Sequence, residues 1–432
     1  MRGPAGPGTT AGKVDERWWR GLDDRTLSAL EDRLAASNLD VAAATTRVAQ
    51  VRASRTAAGA SGAPVAGAGA SYGRDRLSRY GPLKLLPDDV TKNARRPFDL
   101  FDAGFDAAWE LDLWGRVRRG VEAADAAVSA SEDERRAVLV TVEAELARSY
   151  IALRRAQLVQ AATRRFVDAA SRTAHHPLDR AEVALVAARL PSLRAEIAGQ
   201  ANAVALLLGA PPGALNAELG VDAPMDAPMS ATVPPVPPAA PLGVPSELVE
   251  RRPDVRAAEA RLHGATAGIG VAEAEFFPRF TVSGSVGVQA LQPKYLGSLG
   301  AVGFSGGPAV SVPLFDGGRL KARLELRRAE QQEAAVAFQA AALGAFHDVD
   351  NALTAYATEG ERRAVLLRAV ADARLAAVRG GPEAQRVLLE AEVALADSTA
   401  ALATGFVQLC KALGGGWETE FPAARTDRPA RR

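Results

Sequence analysis

Asp102, Asp106, Glu110 and Asp112 stand at even spacings inside a segment of strict alternation, with Gly104 and Ala108 between them. Phe101, Ala103, Phe105, Ala107, Trp109 and Leu111 take the intervening positions. On an extended strand these two sets project to opposite faces. Carboxylates on one face can line a water-filled passage and favour cations. A second alternating segment, 280–288, sets Thr281, Ser283, Ser285 and Gly287 against Phe280, Val282, Gly284, Val286 and Val288. No nucleophile, base and acid set appears anywhere, so neither an enzyme nor a cofactor is expected. His175-His176 has no carboxylate or cysteine cluster at ligand spacing and reads as an exposed turn, not a metal site. Gly67-Ala68-Gly69 and Gly268-Ile269-Gly270 lack the continuation of a nucleotide loop and read as backbone flexibility near the strands. Asp254, after Pro253, reads as a helix N-cap, and Cys410 as a small buried apolar group.

These residues are positioned by a unit that occurs twice. Asn38–Ala44 aligns without gaps on Arg252–Ala258, and the same register carries Pro64 onto Pro278, Ser71 onto Ser285 and Gly73 onto Gly287, an offset of 214. Further on, Gly115-Arg116-Val117-Arg118 aligns on Gly318-Arg319-Leu320-Lys321, and Glu145-Leu146 on Asp348-Val349, an offset of 203. The first copy is therefore eleven residues longer between the two blocks, and such insertions fall in loops. A repeat this long is a duplicated half-molecule, not a solenoid period.

No proline falls between Pro97 and Pro177, or between Pro313 and Pro382. Each window holds a long helix, at 115–174 and 318–378, of about 80–90 Å if continuous. Helices of that length belong to coiled coils or helical barrels. Return helices follow at 178–208 and 383–413. The first repeat spans 18–210 with a β-hairpin at 65–113, and the second spans 246–417 with a hairpin at 280–314. In these hairpins the weaker strands are 65–73 and 308–314, the latter flanked by Pro308 and Pro313. The stretch 211–245 holds ten of the 26 prolines and reads as a polyproline-like connector. Residues 1–17 and 418–432 read as disordered. The fold class is α+β, mostly α, with four strands in all.

The alternation alone also fits a soluble, half-buried sheet. Thirteen of the 23 aromatics, however, fall within 72–114 and 276–315. Aromatic belts at a membrane boundary produce that clustering. Four strands cannot close a membrane barrel, and an open edge in lipid leaves amides unpaired. Such a chain has to oligomerise. With 52 basic and 51 acidic residues there is no electrostatic reason to expect nucleic acid. No run of eighteen apolar residues occurs, which speaks against transmembrane helices.

Several strings now resemble a known family. Ala108-Trp109-Glu110-Leu111-Asp112-Leu113-Trp114-Gly115-Arg116-Val117-Arg118 is similar to the strand-to-helix junction of outer-membrane efflux factors, the TolC-like exit ducts, and most of all their NodT/OprM-type lipoproteins. Val244–Val255, Phe276-Phe277-Pro278, Val312–Arg319 and Lys411–Trp417 match in family order, so the resemblance covers residues 18–417. It implies a homotrimer in which three chains supply four strands each to a twelve-stranded outer-membrane barrel, with a long periplasmic helical barrel. It also implies a periplasmic adaptor, an inner-membrane RND-type transporter and outer-membrane lipid as partners. The chain would be a passive exit duct for drugs or other small molecules. In that frame Asp102, Asp106, Glu110, Asp112, Thr281, Ser283 and Ser285 face the lumen. Trp114, Gly115, Arg116, Asp316, Gly317, Gly318 and Arg319 form the junctions, with Pro278 and Pro313 at strand ends. His175, His176, Pro177, Gly380, Gly381 and Pro382 form the periplasmic tips that contact the adaptor.

The chain departs from the family pattern in two ways. Residues 1–14 lack a signal core, and no lipidated cysteine stands near the N-terminus, which points to a start codon placed too late. Both helical hairpins look shorter than the family pattern, by roughly two heptads. The alternatives are a degenerate paralogue with impaired adaptor docking, a soluble coiled-coil scaffold, and a periplasmic adaptor. The last would need a lipoyl-like β-domain that a duplicated strand–helix unit does not provide.

Overall fold

The computed structural model describes residues 9–11, 15–76, 78, 97–172, 176–221, 232–237, 240–242 and 251–417. The main elements are α1 (Arg25–Ser37), α2 (Leu39–Ala60), β1 (Val65–Asp75), β2 (Phe98–Leu111), α3 (Arg116–Ser171), α4 (Pro177–Ala187) and α5 (Arg189–Leu207) in the first repeat. The second repeat contributes α6 (Pro253–Ala274), β3 (Arg279–Ala290), β4 (Val302–Ser311), α7 (Arg319–Arg379) and α8 (Pro382–Ala412). At 56 and 61 residues, α3 and α7 extend about 84 and 92 Å. The chain divides into two compact units: Met1–Val51, Val128–Arg261 and Ala334–Arg432 form one, Arg52–Ala127 and Leu262–Glu333 the other.

The first unit is helical. Leu27, Leu30 and Leu34 of α1 recur at helical spacing and are fully buried. They join Leu139, Leu146 and Tyr150 of α3 and Phe406, Val407 and Leu409 of α8 in one core. The Asp24 carboxylate caps α1 by accepting from the Leu27 amide at 2.9 Å. It also accepts from the Tyr150 hydroxyl at 3.0 Å, and burial pushes that phenol up to about 12. By length and composition α8 could cross a membrane, contrary to the expectation from uninterrupted apolar runs, but 44% of its apolar window is buried. Its apolar residues serve the core instead.

The second unit is built on one antiparallel sheet of order β1-β2-β3-β4. Between β1 and β2 lie 22 residues, 76–97, and between β3 and β4 lie 11, 291–301. The eleven-residue difference between the repeats therefore resides in the hairpin connection. At the β2·β3 centre of the sheet, a Cβ on Gly104 would approach Val286 O to 2.7 Å and Gly287 Cα to 2.9 Å. Two glycines facing each other let the strands close to that distance.

Several expectations are corrected. The last strand runs over 302–311, not 308–314, and Pro308 lies inside it opposite Val282. A proline is tolerated on a strand with only one partner, where it removes a single donor. The return helix 178–208 is two helices, because Pro191 has no amide for the Ala187 carbonyl and its ring crowds that oxygen. Asp254 is not the N-cap of α6; Pro253 opens the helix and Asp254 stands in its first turn. Against the upward push of burial, bonds from Arg252 hold Asp254 below the usual carboxylate range. Gly268 and Gly270, expected to lend backbone flexibility, lie inside α6, and a Cβ on Gly270 would reach Arg119 Cγ at 3.0 Å. The connector is not a free linker throughout: Val233 is buried and Tyr356 donates to the Pro237 carbonyl at 3.2 Å. Thr9–Ala11, expected to be disordered, pairs in parallel with Ala240–Leu242. The tail 418–432 lies outside the described residues.

Candidate functional site

The register fixes which side chains share a face of the sheet. Tyr72, Phe101 and Ala290 form one row, Phe105, Val286 and Phe304 another, and Trp109, Val282 and Pro308 a third. All are on one face, and it is apolar. It is also uncovered in this chain, with Phe105 68% and Phe304 88% exposed. An uncovered apolar face of this kind marks contact with lipid or another chain. From Phe101 to Leu111 it runs ten residue steps, about 34 Å along the strand. A tilted strand needs about that length to cross an apolar band about 25 Å tall. The rims carry aromatics with a polar handle. Tyr72 packs on Phe101 with ring centroids 5.0 Å apart and planes tilted by 36°, and donates its hydroxyl to Asp99 at 3.0 Å. Trp109 donates Nε1–H to the Gly62 carbonyl at 2.9 Å.

Asp102, Asp106, Glu110, Thr281, Ser283 and Ser285 share the opposite face. Asp102 stands across from Gln289, Asp106 from Ser285 and Glu110 from Thr281. Only part of the expected acidic lining is free charge. Glu110 accepts from Arg116 Nε at 2.9 Å and Nη2 at 2.8 Å, and Arg279 lies 3.9 Å away. Asp112 has left the strand, which ends at Leu111. It caps α3, accepting the Val117 and Arg118 amides at 3.0 and 2.8 Å. Asp102 keeps one long bond, 3.4 Å from Gln289 Nε2. Asp106 projects over Gly67, whose missing Cβ would lie 3.1 Å from its oxygen. Strict alternation showed the four carboxylates but not that a guanidinium six residues on would neutralise one of them.

The two strand-to-helix junctions are built alike. Gly115 has φ +82°, and Gly317 and Gly318 have +67° and +89°, a region costly for any side chain. Asp316 caps α7 as Asp112 caps α3, accepting the Leu320 amide at 2.8 Å and the Gly318 amide at 3.0 Å. The Leu320 amide holds the Asp316 carboxyl below its ordinary range. Arg319 lies 4.0 Å from it. Trp114 stacks on Phe277 at 4.8 Å and donates to the Pro278 carbonyl at 2.8 Å.

At the hairpin tips His176 caps α4, its Nδ1 accepting from the Leu178 amide at 3.3 Å, with Pro177 in the first turn. Gly381 caps α8 ahead of Pro382. A Cβ on Gly380 would fall 2.7 Å from the Ala376 carbonyl. Arg386 of α8 lies 3.7 Å from Glu182 of α4, so the two tips are neighbours. His175 lies outside the described residues. Among the described residues no group of three or more His, Cys, Asp or Glu side chains could hold a metal ion.

Comparison with known proteins gives a consistent result. Residues 30–207 and 244–379 match the family model described as outer membrane efflux protein. A pyoverdine export outer membrane protein of Pseudomonas putida is 31% identical over 443 residues, covering 94% of this chain and 90% of that one. Nodulation protein T of Rhizobium leguminosarum is 28% identical, covering 93% and 84%. Among solved structures, the outer-membrane channel OprN superposes with a TM-score of 0.84 at 31% identity, covering 95% of each chain. The open state of the Neisseria gonorrhoeae MtrE channel gives 0.80 at 26%, covering 95% and 94%. The chain belongs to the outer membrane efflux protein family, the non-enzymatic outer-membrane channels of efflux pumps.

Proposed function

We propose that three copies of this chain close a twelve-stranded barrel in the outer membrane and act as a passive exit duct for small molecules. The carrying observation is the apolar face of the four-stranded sheet, left exposed along Phe105, Val286 and Phe304. Lipid covers such a face, and only a closed barrel satisfies the edge amides there. In that assembly Asp102, Asp106, Thr281, Ser283 and Ser285 face the lumen, with Glu110 present but neutralised by Arg116. Asp112 belongs to the junction. The long helices form the periplasmic conduit, and the tips at His176–Pro177 and Gly380–Pro382 contact a periplasmic adaptor that links the duct to an RND-type transporter. The Arg386–Glu182 contact supports tips held together as one docking surface. The chemical work is done by the transporter.

The test is complementation. Expressed with a cognate adaptor and transporter in an efflux-deficient strain, the protein restores drug resistance. Failure to do so, with the protein correctly placed in the outer membrane, favours the degenerate paralogue.

A further inference from the structure

We propose that a cavity at the helix end of the sheet, where β2 and β4 pass into the long helices, binds an oxyanion, a carboxylate or phosphate group, between Arg279 and Arg319. The inference rests on the duct reading above, in which the polar face of the sheet is the lumen wall. It adds to that wall a station for anionic solutes.

The cavity has a volume of about 270 Å³ and is walled by residues of both repeats. It is smaller than the roughly 300–1,000 Å³ of pockets that hold drug-sized molecules, so it takes one charged group and not a whole large solute. Glu110, Arg279 and Ser311 line it from the polar face of the sheet, Glu110 standing opposite Thr281 and Arg279 opposite Ser311. Arg116 opens α3, Glu275 follows α6, and Arg319 and Arg323 stand at the start of α7; all four line the same space.

Three carboxylates line the cavity, but each is turned inward and engaged. Glu110 accepts two bonds from Arg116, and Asp112 accepts the Val117 and Arg118 amides. Glu275 lies 3.0 Å from Arg323, with its other oxygen buried. These three side chains are at most 20% exposed, whereas Arg279 and Arg319 are 53% and 63% exposed. Among the described residues the carboxylates nearest to them stand 3.9 Å from Arg279 and 4.0 Å from Arg319, too far for a hydrogen bond. Those carboxylates, Glu110 and Asp316, are already committed to Arg116 and to the amides at the start of α7. The cavity thus presents two guanidinium forks with donors to spare, and such forks match the planar geometry of an oxyanion.

The duplication shows why Arg319 lacks a close partner. The offset of 203 that carries the β2 residues onto β4 also places Arg116 on Arg319 and Glu110 on Pro313. In the first repeat the arginine finds its carboxylate six residues back; in the second a proline stands there. Arg279 and Arg323 fall on Val65 and Gly120 of the first repeat, and Glu275 on Ser61. Relative to the first copy, the second lacks one acid, adds one acid and adds two bases around a single cavity. That local excess of positive charge is a property of the second repeat alone, in a chain whose basic and acidic residues otherwise balance at 52 and 51.

The full-length protein in planar bilayers tests this, read as the reversal potential under a gradient of dilute potassium chloride, where screening is weak. Inorganic phosphate added to the electrolyte should raise the cation preference of the unsubstituted channel saturably, because a bound anion adds negative charge to the lumen wall. Arg319→Gln and Arg279→Gln should each raise the phosphate concentration at half effect about tenfold, the loss of one charged hydrogen-bonding group. Pro313→Glu, which gives Arg319 the carboxylate that Arg116 has, should do the same with both arginines in place. Arg118→Gln should leave the effect unchanged, since Arg118 is exposed and does not line the cavity. The site is overturned if phosphate leaves the unsubstituted channel unaltered, or if the Arg319, Arg279 and Pro313 variants respond as the unsubstituted channel does. It is also overturned if Arg118→Gln weakens the effect as much as Arg319→Gln, or if the response follows the anionic-lipid content of the bilayer and not dissolved phosphate. In each of these cases the open channel keeps the duct reading. A protein that opens no channel removes the duct and the anion site together.

Discussion

At Glu31 the helical unit buries a carboxylate, 3% exposed, with neither oxygen hydrogen-bonded among the described residues. Burial, and then the nearby Glu143, raise its pKa well above the ordinary value. A carboxyl raised in the folded state binds its proton more tightly than the unfolded chain does. Its contribution is therefore fully present below the ordinary carboxylate range and is lost as pH rises through the folded value. Glu31→Gln removes the ionisation, so the variant should gain Tm over the unsubstituted protein at pH 8, with the gain shrinking toward pH 5. Equal differences at both pH values would contradict this. Asp102 and Asp106 sit on the polar face with no ion pair among the described residues, unlike Glu110. Asp102→Asn with Asp106→Asn should lower cation preference in planar-bilayer recordings, and unchanged selectivity would take the lumen assignment away.

Each long helix begins on a tight glycine turn followed by a carboxylate-capped first turn, so the strand-to-helix change is a local, capped event. Asp112→Ala should cost about 1 kcal/mol, the usual value of a cap, read as a lowered midpoint in reversible denaturation. Asp316 gives the opposite pH sign to Glu31. Its folded pKa is lowered, so its help is present above the ordinary carboxylate range and fades as pH falls through the lowered value. Hydrogen exchange at the Leu320 amide, corrected for intrinsic rate, should quicken in Asp316→Ala at neutral pH, and unaltered protection would count against the cap. At this scale the sequence was legible where periodicity ruled. The alternation in 101–111 and 280–288 and the proline-free windows marked two strands with both their faces and both long helices nearly to their ends. It failed where local chemistry is ambiguous. Gly303, Gly306 and Gly307 give β4 weak strand propensity and Pro308 looks like a terminus, yet β3 pairs with all of it. Asp112 obeys the alternation but belongs to the helix, because the strand stops one residue earlier.

For the whole molecule, the duplication was visible in the sequence down to the eleven-residue difference, because insertions collect in hairpin connections and leave the paired strands alone. What one chain could not reveal is its own incompleteness. The apolar face and the β4 edge of the sheet ask for neighbours, and those needs appear only once the strands are set in register. The central claim is that the sheets of three chains join into one barrel within the outer membrane. Outer-membrane fractionation followed by gel electrophoresis with and without heating tests it most directly. The account predicts a heat-modifiable trimer in the outer-membrane fraction that collapses to a 45.1 kDa chain on heating. A water-soluble monomer, at any heating step, would contradict it.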